Sequence, residues 1–187
     1  MDSVTITVLV LSAILLIYLY MVYIGIIKKK NKVLEAFASV DVQLKKRYDL
    51  IPNIIVIAKA FMEHERNLMT EVTKLRAQAM EIKSDFKNIG KKLSLDTELA
   101  DKMSKLLVAV ENYPQLKSDK TMLLTMQTYN EVEEHIAAAR RFYNSAVNDL
   151  NNAVEIFPSS LIAAMLNIKA KDFFSAKSDE RISPKGF

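Results

Sequence analysis

Residues 3–27 run for 25 positions without a charged side chain, and most of them are Ile, Leu, Val or Tyr. A bilayer core about 30 Å thick needs about 20 apolar residues in a helix, so this segment is long enough to span. A cleaved signal peptide would need a basic start, a shorter apolar core and a small-residue cleavage site. Here the start holds Asp2, and Lys28, Lys29 and Lys30 follow the apolar run. The expectation is an uncleaved anchor over 4–27 with a short outer tail at 1–3. Tyr18, Tyr20 and Tyr23 collect near its C-terminal end, where aromatic rings favour the membrane interface.

The basic residues set an orientation. None precedes the span, and Lys28, Lys29, Lys30 and Lys32 follow it directly. The positive-inside rule then predicts an outer N-terminus and a cytoplasmic remainder at a bacterial inner membrane. The net charge of +4 divides unevenly along the chain. Residues 1–27 carry −1, residues 28–47 carry +5, and residues 48–187 carry 19 basic against 19 acidic groups. The excess therefore forms a juxtamembrane collar suited to acidic lipid headgroups, and a nucleic-acid surface is not expected.

Three Gly and four Pro are too few turn-formers for a sheet protein of 187 residues, and the Gly residues lie too far apart for a phosphate-binding loop. With no Cys, disulfides, thiol catalysis and thiolate metal sites are excluded. The expected class is all-α, and the apolar positions recur at helical spacing. Val33, Phe37, Val40, Leu44, Arg47 and Ile51 form one seam through a basic helix at 28–47. At Asp49, Pro52 and Asn53 a break is predicted, with Asp49 capping a second helix and Pro52 in its first turn. That second seam runs from Ile51 through Glu65 to Ile82, and a polar stretch holding Asn88, Gly90, Lys91 and Lys92 ends it. A third helix is expected over about 94–112, and a loop at 114–119 follows Pro114. The fourth and longest helix carries Met122 through Phe157 on its seam, Glu133 and Arg140 included. A short helix from Leu161 to about Lys169 precedes a polar tail at 169–187. The architecture predicted for 48–168 is an antiparallel bundle of about four long helices plus the short one, coiled-coil-like and held on a membrane stalk.

Four charges fall on apolar seams: Arg47, Glu65, Glu133 and Arg140. Buried charges need partners. These four suit either an ion-pair network that fixes helix register or a polar site inside the bundle, and the network is the preferred reading. Metal patterns fail: Phe61 stands three before His64, and Val132 three before His135, where a di-iron bundle needs Glu. No Ser stands in a nucleophile motif. The Asn-lined face of Asn144, Asn148, Asn151 and Asn152 reads as a hydrogen-bonding surface. No catalytic residue, metal ligand or cofactor is expected.

Several stretches resemble a known family. Arg47-Tyr48-Asp49-Leu50-Ile51-Pro52-Asn53-Ile54-Ile55 is similar to the (R/K)-x-D-L-I-P-N-L-V signature of the LemA family of bacterial membrane proteins. His64-Glu65 matches its His-Glu pair, and Tyr113-Pro114-Gln115-Leu116-Lys117 its Y-P-x-L-K loop. Glu133 with Ile136 to Val147 resembles its E-x-x-I-A-x-A-R-R-x-Y-N-x-A-V helix, and Phe157 to Ala163 its F-P-x-x-L-I-A step. The departures are Ile54-Ile55 for Leu-Val and a shortened tail at Lys185-Gly186-Phe187. The resemblance implies a single-pass protein with a cytoplasmic helical bundle and no established enzyme activity.

The reading that follows is a membrane-anchored, non-enzymatic scaffold or adaptor presenting its bundle to protein partners, a second copy included. The alternatives are a ligand sensor built on the seam charges and a factor facing the cell envelope.

Overall fold

The computed structural model describes residues 2–174. Six helices follow one another, with no strand among the described residues: α1 (Ser3–Lys59), α2 (Arg66–Glu81), α3 (Ile89–Val110), α4 (Pro114–Ser118), α5 (Lys120–Glu155) and α6 (Ser159–Met165). The class is all-α, and four long helices form an antiparallel bundle with a short C-terminal helix. The part of the expected polar tail beyond residue 174 lies outside the described residues.

α1 has 57 residues and is therefore about 85 Å long. Residues 3–21 are solvent-exposed and mostly apolar, and α1 is the one described helix long and apolar enough to cross a membrane. From Ile26 onward one stripe turns inward: Val33, Phe37, Val40, Leu44, Arg47, Ile51 and Ile54 are all buried. α5 runs antiparallel along this stripe, with Phe37 edge-on to the Tyr143 ring and Lys32 paired with Asp149. α2 folds back on the other side of α1, and α3 lies antiparallel to α2 through Lys102 and Glu71, 2.6 Å apart. α4 joins α3 to α5 at the far end. α6 packs against α5 and α1 at the end where the apolar segment emerges.

The break expected at Pro52 does not occur. Asp49, Pro52 and Asn53 all lie inside α1, so Asp49 caps nothing. Pro52 lacks the amide that would bond the Tyr48 carbonyl. Arg76 on α2 supplies that donor instead, its Nε lying 2.5 Å from the Tyr48 oxygen. The helix thus crosses its proline because a distant side chain satisfies the freed carbonyl.

The reversal falls one stage later. The seam expected as one helix from Ile51 to Ile82 is cut by a turn at 60–65, in which Met62 is buried. α2 also ends earlier than predicted, at Glu81, and Gly90, Lys91 and Lys92 belong to the first turn of α3. Asp85 organises the 82–88 connection by accepting from the backbone amides of Lys87 and Asn88. The 114–119 loop contains the short helix α4. Asp119 caps α5, its Oδ1 accepting from the Met122 amide at 2.7 Å.

Past α6 the chain is extended and lies along α5. Asn144 grips Phe174 at both its amide and carbonyl, and Asn151 does the same to Lys171. Residues 169–174, expected as free tail, are therefore strapped to the Asn-lined face.

Candidate functional site

The most buried polar group of the bundle is the Arg47 guanidinium, 1% exposed on the inner stripe of α1. Its Nη1 donates to Glu133 Oε1 on α5 at 2.7 Å. Its Nη2 donates to Asp96 Oδ1 on α3 and reaches the Asp96 carbonyl at 3.4 Å. The Tyr48 hydroxyl donates to the same Asp96 oxygen at 3.0 Å. One arginine thus ties three helices together. Nε has no partner among the described residues, nor does the buried Oε1 of Gln43 one turn earlier.

Burial works against the charge of Arg47, but Asp96, Tyr129 and Glu133 outweigh it and hold the guanidinium protonated. The Tyr48 phenol is pushed well up by burial and by the Asp96 carboxylate, with Arg47 opposing. Tyr129 is raised too, by burial first. The centre therefore sets a charged guanidinium beside two neutral phenols.

Of the four seam charges, the structure brings Arg47 and Glu133 into contact. It places the other two elsewhere. Glu65 sits at the far turn, accepting from the Tyr113 hydroxyl at 2.7 Å. Arg140 lies over the Phe174 ring, 5.8 Å from its centroid. The sequence reading missed Asp96, which is buried. Its signal was there: Asp96 stands three residues after the buried Leu93 and three before the buried Leu99, so it occupies a seam position.

A second polar joint was also missed. Lys92, 6% exposed, is ion-paired with Asp41 on α1. Its Nζ donates to Ser84 Oγ at 2.8 Å, and Ser84 donates to Asp41 Oδ2 at 2.7 Å. This Ser–Lys pair is not arranged for nucleophilic chemistry. An ammonium that donates to the hydroxyl and pairs with a carboxylate has no lone pair for the serine proton.

Glu133 has a second aspect. Its side chain is 24% exposed, and it faces a groove of about 430 Å³ between α3 and α5, with Tyr129 also on its wall. The rim carries Val108, Glu111 and Glu134. Leu123 and Leu124 continue the apolar surface along α5, both exposed. The groove forms because α3 packs mainly on α2 and α5 mainly on α1. From the antiparallel pairing of Lys32 with Asp149 and Arg47 with Glu133, Leu124 lies level with the C-terminal turns of α1. That is about 45 Å of helix beyond residue 27.

Of the collar, Lys28 is exposed. Lys30 lies 5.5 Å from the Phe86 ring centroid, and Lys32 is paired with Asp149. The collar is thus partly spent on the bundle itself.

A candidate membrane helix, the one among the described residues, continued into a four-helix bundle with an ionic joint in its core defines a class of stalked, all-helical proteins. The chain belongs to the LemA family, whose model matches residues 36–185. It is similar to the protein named LemA of Metamycoplasma hominis, 22% identical over 167 residues, which covers 87% of this chain and 75% of that one. It is also similar to magnetosome protein MamQ 2 of Paramagnetospirillum magneticum, 28% identical over 85 residues. That match covers 46% of this chain and 31% of the MamQ protein.

Proposed function

We propose that this protein is a membrane-anchored, non-enzymatic scaffold that presents its bundle to a protein partner on the cytoplasmic side of the bacterial inner membrane. The observation that carries the reading is the groove between α3 and α5. Leu107, Val108 and Met126 line it together with the carboxylates of Glu111, Glu133 and Glu134, and exposed Leu123 and Leu124 beside Glu131 extend an apolar strip from it along the outer face of α5. Such a surface suits an amphipathic helix whose apolar ridge is flanked by Lys or Arg. The ionic joint behind it is consumed by its own partners and serves register. The stalk holds the groove about 30 Å from the bilayer at Glu133 and about 45 Å at Leu124, within reach of soluble partners. Lys28 and Lys29 are left to meet acidic headgroups at its base, since Lys30 and Lys32 turn to Phe86 and Asp149.

The test is a photo-crosslinking residue placed at Leu124 in the full-length protein in intact membranes, with one at Thr70 on the exposed face of α2 as control. The expected result is a discrete adduct, to another protein or to a second copy, from Leu124 and none from Thr70. Equal labelling from both positions, or none from Leu124, overturns the reading.

A further inference from the structure

The corner where α5 turns into α6 carries more exposed large apolar side chains than a monomer's surface needs. Phe157 is 74% exposed and Met165 86%, and Ile156 and Leu161 are exposed beside them. Isolated exposed apolar residues are ordinary, but a contiguous group marks an interaction surface.

Its occupant follows from its height. Ile156 and Ser159 line one cavity together with Val22, Gly25, Ile26 and Lys29 of α1. Val22 lies five residues before the end of the uncharged run, which is about 7.5 Å further along the helix axis. A corner level with Val22 to Ile26 therefore sits at the depth where an interfacial helix rests, about 5–10 Å into the headgroup and acyl boundary. The span still suffices: residues 4–21 alone cover about 27 Å, close to a hydrocarbon core of about 30 Å. Around the corner Lys169 is exposed, Lys29 is on the cavity wall and Lys28 is exposed beside it on α1, against one exposed carboxylate at Glu155.

We propose that the α5–α6 corner is a second membrane contact, with Phe157, Leu161 and Met165 inserted into the interface of the bilayer that α1 crosses. The bundle is then held at two points, a spanning helix and a peripheral apolar foot. Two attachments fix its tilt and rotation, whereas one helix would let it swivel. The inference rests on residues 3–27 being the span.

The chain contains no Trp, so a single introduced indole reports its own depth. Full-length Phe157→Trp, Met165→Trp, Leu15→Trp and Phe61→Trp variants are reconstituted separately into vesicles of phosphatidylcholine and phosphatidylglycerol, with and without acyl-brominated lipid. The expected result is strong quenching by bromolipid for Leu15→Trp, loss of the same order for Phe157→Trp and Met165→Trp, and none for Phe61→Trp at the far turn. Quenching at Leu15 with none at Phe157 or Met165 overturns the foot and leaves the span intact. No quenching at Leu15 overturns the span reading itself and the foot with it. A blue-shifted, unquenched Phe157→Trp emission that persists in detergent means that protein, such as a second copy, covers the corner, and it overturns the proposal equally. Met165→Trp decides the matter should Phe157→Trp fail to fold.

Discussion

Replacing Asp96 by Ala removes the acceptor shared by Arg47 Nη2 and the Tyr48 hydroxyl, both inside the core. The guanidinium, 1% exposed, is left with Glu133 as its carboxylate partner. Breaking one side of a buried pair in this way costs about 3–5 kcal/mol. Against a total of about 5–15 kcal/mol for a domain, that is a large fraction of the stability. It corresponds to a fall in Tm of roughly 6–20 °C for a chain of this size. The joint can instead be deleted as a unit by Arg47→Met, Tyr48→Phe and Asp96→Leu, which leaves no buried charge behind; Glu133 then turns to the groove it already faces. Replacing a buried ionic cluster by apolar residues is often neutral or better, so the triple variant is expected to be more stable than Asp96→Ala alone. Urea unfolding of the full-length protein in micelles, followed by far-ultraviolet circular dichroism, measures both. A loss under about 1 kcal/mol for Asp96→Ala, or a triple variant less stable than the single one, refutes the ionic-joint argument.

Other outcomes follow from particular contacts. Arg76→Ala strips the donor from the Tyr48 carbonyl and is expected to cost about 1–3 kcal/mol; in a Pro52→Ala background, where the amide returns, the same change costs markedly less, as a double-mutant cycle of urea midpoints will show. Asn144→Ala removes both bonds to Phe174 and is expected to speed hydrogen exchange at residues 171–174 without moving the global midpoint. Burial, with Asp172 nearby, raises Tyr143 from 10 to about 12. A raised folded value means its stabilising share is complete below pH 10 and is lost as pH climbs from 10 to 12. An ultraviolet titration should therefore show phenolate forming at this residue only above the ordinary tyrosine range, with stability falling over the same window.

Much of the bundle is visible in the heptads. On the α5 seam expected from Met122 through Phe157, Met122, Tyr129, Ile136, Tyr143, Val147 and Leu150 are buried, because a long helix with one apolar stripe has one way to face a core, whereas Phe157 lies past the helix end and is exposed. The local rule failed where a distant residue overrode it. Pro52 predicts a break from its own chemistry, and nothing near it in sequence announces that Arg76 will satisfy the freed carbonyl. The turn at 60–65 has the opposite character. It contains neither Gly nor Pro, so its position is set by packing, with Met62 anchored in the core. Asp96 escaped notice because it stands beside Leu95, the apolar neighbour that invites the core position yet is only half-buried. The partner of Arg47 on α5 was on the right stripe, whereas Arg140 lies on that stripe at another height and Glu65 falls in the turn that cuts its expected seam. Seam membership is a local property; height depends on the loops, and those are where the sequence speaks least.

The central claim is that the working surface is the groove between α3 and α5, while the ionic joint behind it only holds the helices in register. Recovery of crosslinked partners from intact membranes separates the two. With the photo-crosslinking residue placed at Leu123, the Leu124→Glu variant, altered at an exposed position of α5 beside the groove, should lose its partner adduct with Tm unchanged. The Arg47→Met, Tyr48→Phe, Asp96→Leu variant should keep that adduct. Full recovery with Leu124→Glu, together with loss in the folded triple variant, would contradict the account and move function into the charged core.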